Sequence, residues 1–208
     1  MARYTGPVCR LCRREGEKLY LKAERCYTSK CAIEKRNTPP GDADHYRRRQ
    51  SEYGRQLREK QKVKRMYGLL ERQFRNVFEQ SEQEKGITGE QLLKNLELRL
   101  DNVVYRLGLA GSRKQARQYV NHGHVLVNDE PVDIPSFTVD PGDEISLRDR
   151  MRNNPQVEES MSLAQQRGIK EWVHQADGSK GRVEREPERT EIDDVEIEES
   201  LIVELYSK

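Results

Sequence analysis

No stretch of this 208-residue chain approaches the roughly 20 consecutive apolar residues that a membrane-spanning helix needs. Met1 to Val8 has no apolar signal-peptide region, so the chain is expected in the cytoplasm with no membrane partner. Apolar residues are scarce altogether, at 34% of the chain with one Trp and three Phe, which predicts one or two domains with small cores. Catalytic signatures are also missing. There is no GxxxxGK[ST] loop, no GxGxxG, and no His/Cys nucleophile pair outside the cysteine loops. The acidic residues near the C-terminus sit in no apolar surround that would perturb them for proton transfer. The sequence therefore predicts neither an enzyme nor a small-molecule substrate.

Net charge is scarce too, only +2, but it is unevenly divided. Residues 1–75 carry 21 Lys/Arg against 9 Asp/Glu, whereas residues 76–150 carry 9 against 13 and residues 151–208 carry 8 against 14. Such an excess in the first third predicts phosphate neutralisation with steep salt dependence.

Four cysteines are all the chain has, and they are clustered: Cys9, Cys12, Cys26 and Cys31, spaced C-x2-C-x13-C-x4-C. Two thiolates from each of two turns can surround a tetrahedral ion, and one zinc ion held by four thiolates suits the set. Two disulfides or four unrelated thiols are the alternatives, and an iron–sulfur cluster would use the same ligands with visible absorbance. Arg10, Arg13, Arg14, Lys22, Arg25 and Lys30, with Arg3 just before them, crowd these loops and would offset the charge of a four-thiolate centre or meet RNA. So little apolar material lies here that metal is expected to hold roughly the first 35 residues folded.

An extended connector with Pro39, Pro40 and Gly41 follows, then His45-Tyr46-Arg47-Arg48-Arg49, where aromatics interleave with cations. From Ser51 to about Glu84 the spacing is helical, with Gly68 between two helices and a buried stripe of Tyr67, Leu70, Phe74, Val77 and Phe78. Arg55, Arg58, Lys60, Lys62, Lys64 and Arg65 make the first of these helices basic, so it is expected against nucleic acid. Thr88 and Gln91 predict a capping box for the next helix.

The run LRLDNVVYRLGLAGSRKQARQYVNHGHVLV, residues 98–127, holds an apolar helix, a basic helix and a strand. Ser112 is a natural N-cap, Gln115 stands where a capping box needs it, and Gly123 suits a left-handed helix end. At about 100° per residue, Arg113, Lys114, Arg117 and Asn121 share one sector and Ala116, Tyr119 and Val120 another. One face docks, and the charged face with Ser112, His122 and His124 at its ends is expected to take phosphates. A solvated amphipathic helix is the plain alternative. Val125 to Leu147 reads as short antiparallel strands with turns at Asn128-Asp129 and Pro141-Gly142-Asp143. Residues 153–172 read as loop and short helix anchored by Trp172 and Val173. Lys180, Arg182, Arg185 and Arg189 suit ordinary surface or RNA contact equally. The final run, with Ile192, Val195, Ile197, Leu201, Ile202 and Leu205, predicts a closing helix whose acids face solvent or a basic protein partner.

The order of helix, SRKQARQYV helix, GHVLVN strand and PGD turn resembles the small RNA-binding module named after the fourth protein of the bacterial small ribosomal subunit, also found in pseudouridine synthases, a tyrosyl-tRNA synthetase family and a heat-shock RNA-binding protein. YGRQLREKQKVKRMYGLLERQF (53–74), residues 98–128 and ESLIVELYSK (199–208) resemble the ribosomal family itself, and MARYTGPVCRLCRREG resembles its metal-binding variant. The resemblance implies an α+β protein: N-terminal metal-bound loops and a helical domain, with an inserted module of two helices and a small antiparallel sheet. Its expected parts are residues 1–45 (cysteine loops and linker), 46–97 (basic helices), 98–160 (RNA-binding module) and 161–208 (a segment packing back on the helices). The implied function is to bind a helix junction in the 5′ domain of 16S rRNA in the 30S small subunit, nucleate assembly of the subunit body and contribute to translational accuracy. It also implies that Arg47, Arg48 and Arg49 line the path by which messenger RNA (mRNA) enters, and that the C-terminal part contacts the fifth small-subunit protein. A free regulatory or chaperone RNA-binding protein and an accessory module of an RNA-modifying enzyme are the rival readings.

Overall fold

The computed structural model describes residues 4–41, 51–176 and 179–207. They form an α+β protein of two compact units, Met1–Leu93 with Asp193–Lys208 and Lys94–Ile192.

The first unit starts with the cysteine loops: α1 (Cys9–Glu15), a 3-10 turn (Ala23–Tyr27) and α2 (Ala32–Lys35). Two longer helices follow, α3 (Glu52–Met66) and α4 (Glu71–Gln83), and α10 (Glu199–Tyr206) packs on α3. The Ser51 hydroxyl accepts from the Gly54 amide at 3.2 Å and starts α3. The helix ends where Gly68 and Leu69 fold their amides back onto the Arg65 and Lys64 carbonyls, the expected break. Val63, Met66, Phe74, Phe78, Leu92, Leu93 and Ile202 fill the core. Tyr206 lies tilted against Phe78 with centroids 4.6 Å apart, and Tyr67, Phe74 and Phe78 are core as expected, whereas Leu70 of the predicted stripe is exposed and Val77 half-buried.

Helix α5 (Thr88–Glu97) passes from the first unit into the second. Its predicted capping box does not form. Thr88 is already helical, and the Gln91 amide group donates to the Lys85 carbonyl instead, at 3.0 Å.

In the second unit α6 (Leu100–Arg106) and α7 (Arg113–Asn121) pack together beside an antiparallel sheet. Its strands are β1 (Val125–Val127), β2 (Glu130–Pro131), β3 (Glu144–Leu147), β4 (Val173–Gln175) and β5 (Lys180–Val183), in the order β2-β1-β3-β5-β4. Asn128 and Asp129 both take positive φ at the β1–β2 turn, the backbone a two-residue hairpin needs. Helix α8 (Asp149–Arg152) and α9 (Pro155–Arg167) connect β3 to β4, and α9 is a full helix where a short one was expected. Its start is well marked, since the Asn154 side chain accepts from the Gln156 amide at 2.9 Å and Pro155 occupies the first turn. Trp172 is fully buried in the core with Leu107, Val120, Ile145 and Leu147.

One boundary and one stretch of predicted strand differ from expectation. Residues 161–192 belong with the second unit because β5 pairs with β3, matching Ile145 to Gly181, and only the chain from Asp193 onward joins the first. A side chain at Gly181 would collide with Leu107, so glycine lets β5 lie against α6. Between β2 and β3 the chain is mostly loop, with Ile134 and Phe137 exposed rather than in strands.

Candidate nucleic-acid interface

The predicted RNA-contacting residues fall into three groups. Arg3, Arg47, Arg48 and Arg49 lie outside the described residues. A second group is exposed: Arg10, Lys22, Arg25, Lys30, Arg55, Lys114 and His122, with Asn121 and His124 half-buried. The third is turned inward or engaged by carboxylates, against the expectation of free cationic faces.

In α7 the engagement is nearly complete for two residues. Arg113 and Arg117 are each only 8% exposed, because α6 and the end of α5 offer them acids. Glu97, fully buried, receives two bonds of 2.7 Å from Arg106 and one of 2.8 Å from the Asn102 amide, and Arg113 lies 3.6 Å away. The Arg113 guanidinium donates to the Asn102 oxygen at 2.7 Å and stacks on Tyr105, 4.6 Å from the ring centroid. Arg167 covers the same ring at 4.2 Å. Asp101 pairs with Arg99 at 3.2 Å and Arg117 at 3.3 Å. Arg113 and Arg117 thus fasten α7 within the unit, and Lys114 remains as the exposed cation of its face.

The start of α7 is nearly as predicted. The Ser112 hydroxyl, itself buried, accepts from the Gln115 amide at 3.3 Å, while the Gln115 side chain accepts from the Gly111 amide, one residue short of a capping box. At the other end Gly123, φ +65°, and His124 turn their amides onto the Val120 and Tyr119 carbonyls, which places His122 and His124 just before β1.

Helix α3 shows the same exchange. Lys60 and Lys64 both reach Glu71, at 2.5 and 2.7 Å. Lys62 lies between Glu59 and Glu17 and donates to the Glu196 carbonyl at 2.6 Å. Arg58 and Arg65 both meet Glu15. Arg55 has only loose pairs, 3.6 Å to Glu52 and 3.9 Å to Glu198. Five of the six predicted cations of this helix, Arg58, Lys60, Lys62, Lys64 and Arg65, are thus engaged by Glu15, Glu17, Glu59 and Glu71, and Arg55 is the exposed one.

The cysteine loops keep more free charge. Arg13 and Arg14 brace the following segment, donating to the Thr38 and Pro40 carbonyls at 2.8 and 3.1 Å. Arg10, Lys22 and Lys30 are exposed, as are Lys35, Arg36 and Arg72, which pattern reading passed over. Tyr20 and Tyr27 stack at 5.1 Å beside them. Cys9, Cys12, Cys26 and Cys31, all free thiols, line one pocket with Val8, Leu21 and Ile33. The Lys22 amide donates to the Cys26 sulfur at 3.2 Å. Burial pushes the Cys12 thiol up to about 11, with repulsion from the other three sulfurs adding to it. Among the described residues no three Cys, His, Asp or Glu side chains are gathered as a metal-holding set, although the four sulfurs line this one pocket. No helix among them is long and apolar enough to cross a membrane.

Comparison with known proteins covers the whole chain. Residues 3–97 match the ribosomal protein S4/S9 N-terminal domain and residues 98–145 the S4 domain. Small ribosomal subunit protein uS4 of Natranaerobius thermophilus is 58% identical over the full length of both chains. The uS4 proteins of Pelotomaculum thermopropionicum and Thermodesulfovibrio yellowstonii are 56% and 55% identical, again over the full length of each. The chain therefore belongs to the family of small ribosomal subunit protein uS4.

Proposed function

We propose that the chain is a structural constituent of the ribosome, a cytoplasmic 16S rRNA-binding protein of the small subunit that works by architecture rather than catalysis. The observation that carries this reading is end-to-end identity above one half with proteins named for that subunit. Each unit also presents exposed cations, Arg10, Lys22 and Lys30 on one and Lys114 on the other, where the imidazoles of His122 and His124 stand near the surface. Fixed cations can recognise a junction by the arrangement of its phosphates, and contacts to 2′-hydroxyls separate RNA from DNA. Buried ion pairs hold the supports in shape, so affinity comes from the fewer cations left outside them.

The test is binding of the whole protein to a transcript of the 16S 5′ domain across a salt series, with unrelated structured RNA of equal length as competitor. A preference of orders of magnitude at high salt is expected. Equal binding that fades together for both RNAs would overturn the reading, as would finding most of the protein away from small subunits. The mRNA path at Arg47, Arg48 and Arg49 and contact with the fifth small-subunit protein belong to the same proposal, supported by family resemblance.

The cysteine pocket is proposed to hold one zinc ion, with Cys9, Cys12, Cys26 and Cys31 as ligands. Four free thiols on one pocket wall suit the ion, and an amide already donating to Cys26 suits a thiolate there. The ion's work would be to cross-link loops that bury little else. Mass spectrometry of the folded protein would show the added zinc mass, and visible absorbance would reveal an iron–sulfur cluster instead.

A further inference from the structure

The second unit carries a group of cations that its carboxylates do not answer. The register of β1 against β3, Val125 opposite Leu147, brings together the residues flanking both strands. The Arg148 amide donates to the His124 carbonyl at 2.9 Å, and the Arg150 guanidinium lies 2.9 Å from His124 Nδ1. The rings of His122 and of Tyr119 in α7 both meet the His124 ring edge-on, at 5.9 and 6.3 Å. Asp149, the acid between the two arginines, is taken by Arg152 at 2.9 Å. Among the described residues no carboxylate comes within 4.0 Å of Arg148 or Arg150. The buried arginines of this unit, Arg99, Arg106, Arg113 and Arg117, all have acids beside them, whereas Arg148 and Arg150, nearer the surface, do not.

Two guanidinium groups beside two imidazoles, with no carboxylate at hand, favour an arriving anion. Resting on the RNA-binding reading above, we propose that His122, His124, Arg148 and Arg150 form one phosphodiester-binding patch for the RNA backbone, carrying the RNA surface past residue 145, where the S4-domain match ends. Arg150 is exposed and Arg148 half-buried, and both directly follow the end of β3, next to the start of its paired strand β1.

The patch has a second consequence. Burial, then the charges of Arg150, His122 and Arg148, push the His124 pKa down, so the ring is neutral near pH 7 and Nδ1 accepts from Arg150. A phosphate beside it favours the protonated form and raises that pKa. Binding therefore takes up a proton. The gain in affinity is full below the free protein's pKa and disappears as pH rises through the higher, RNA-bound value.

The test uses the full-length protein and the 16S 5′-domain transcript, with salt series at pH 5.5, 6.5 and 7.5. Arg148→Gln and Arg150→Gln are each expected to lower the slope of log affinity against log salt by about 1, and affinity by about tenfold. Affinity for the unaltered protein should rise several-fold from pH 7.5 to 5.5, roughly as one linked proton allows, and His124→Gln should flatten that rise. Arg75→Gln, which removes an exposed cation in the other unit, should leave the pH profile intact, and circular dichroism should show all variants folded. If the transcript still outcompetes unrelated RNA while salt slope and pH profile are unchanged in the variants, the patch is overturned and the function stands. If inorganic phosphate shifts the His124 resonances but RNA does not, the site takes small anions and the RNA patch is likewise overturned. Loss of transcript preference in the unaltered protein would instead overturn the functional reading beneath it.

Discussion

A carboxylate sealed from solvent must be answered by the side chains around it, and Glu97 sets the local rules for three of its neighbours. Arg106 meets it twice at 2.7 Å, Asn102 once, and Arg113 from farther off. Replacing such a pair by apolar groups can be neutral, but deleting one partner leaves a charge unanswered. Arg106→Ala is therefore expected to cost about 3–5 kcal/mol in urea unfolding, whereas Lys114→Ala, exposed on α7, should change stability by under about 0.5 kcal/mol. A smaller loss at Arg106 would mean water reaches Glu97 in solution. Glu71 offers a pH counterpart. Burial alone would raise its carboxyl, but hydrogen bonds and charge from Lys60 and Lys64 outweigh that and hold it at about 2 against an ordinary 4.5. A depressed carboxylate contributes stability above its unfolded pKa and loses it as pH falls through the folded one. Stability should therefore decline between pH 4.5 and 2 partly through this group, and Glu71→Gln should show a shallower decline in acid titration of the unfolding midpoint. The complementary spacing of these groups was visible in the sequence. Glu97 and Asp101 are four apart, as are Arg113 and Arg117, yet a helical wheel shows only that the arginines share a face, not that acids from another helix occupy it.

At the scale of elements, local signals read well and long-range ones did not. Ser112, Gly68 and Gly123 mark helix ends by backbone chemistry that each residue carries alone, and all three act as expected. The β4–β5 hairpin was missed because its pairing with β3 joins residues more than thirty apart, and its key residue is a glycine, which carries no strand signal. Gly108, which follows the end of α6 with its amide on the Tyr105 carbonyl, differs from Gly123 in a testable way. Gly123 has φ +65° with no atom near the place a Cβ would occupy, so Gly123→Ala meets only backbone strain, about 1 kcal/mol. Gly108 has φ +76° and a Cβ there would strike Ala164 of α9. Gly108→Ala should therefore cost clearly more than Gly123→Ala, and adding Ala164→Gly should recover part of the difference. Equal losses in thermal unfolding would show that α9 gives way without cost.

For the whole molecule, the two units differ in what holds them. Lys94–Ile192 has a continuous apolar core from Leu98 through Trp172 to Val183, whereas the first forty residues bury Leu19 and three cysteine side chains and little else. Composition announced that contrast, since only six Leu, Ile, Val, Met or Phe residues precede Tyr53. The sulfurs stand in for a core only if something binds them together, because buried thiols with raised pKa values contribute little by themselves. Chelation of the intact protein is therefore expected to abolish hydrogen-exchange protection across residues 9–35 while protection in α6, α7 and β3 persists. Acid should do the same, since protons compete for the thiolates: protection of the loops falls as pH drops below the range where the bound sulfurs stay deprotonated. Zinc restored at neutral pH should bring it back. Loops that stay protected after the metal is stripped would show that Leu19 and the stacked Tyr20 and Tyr27 suffice, and would remove the structural reason for four cysteines on one pocket wall. Exchange lost in both units together would mean that one cooperative transition spans the chain, and that the second unit depends on the loops for its fold.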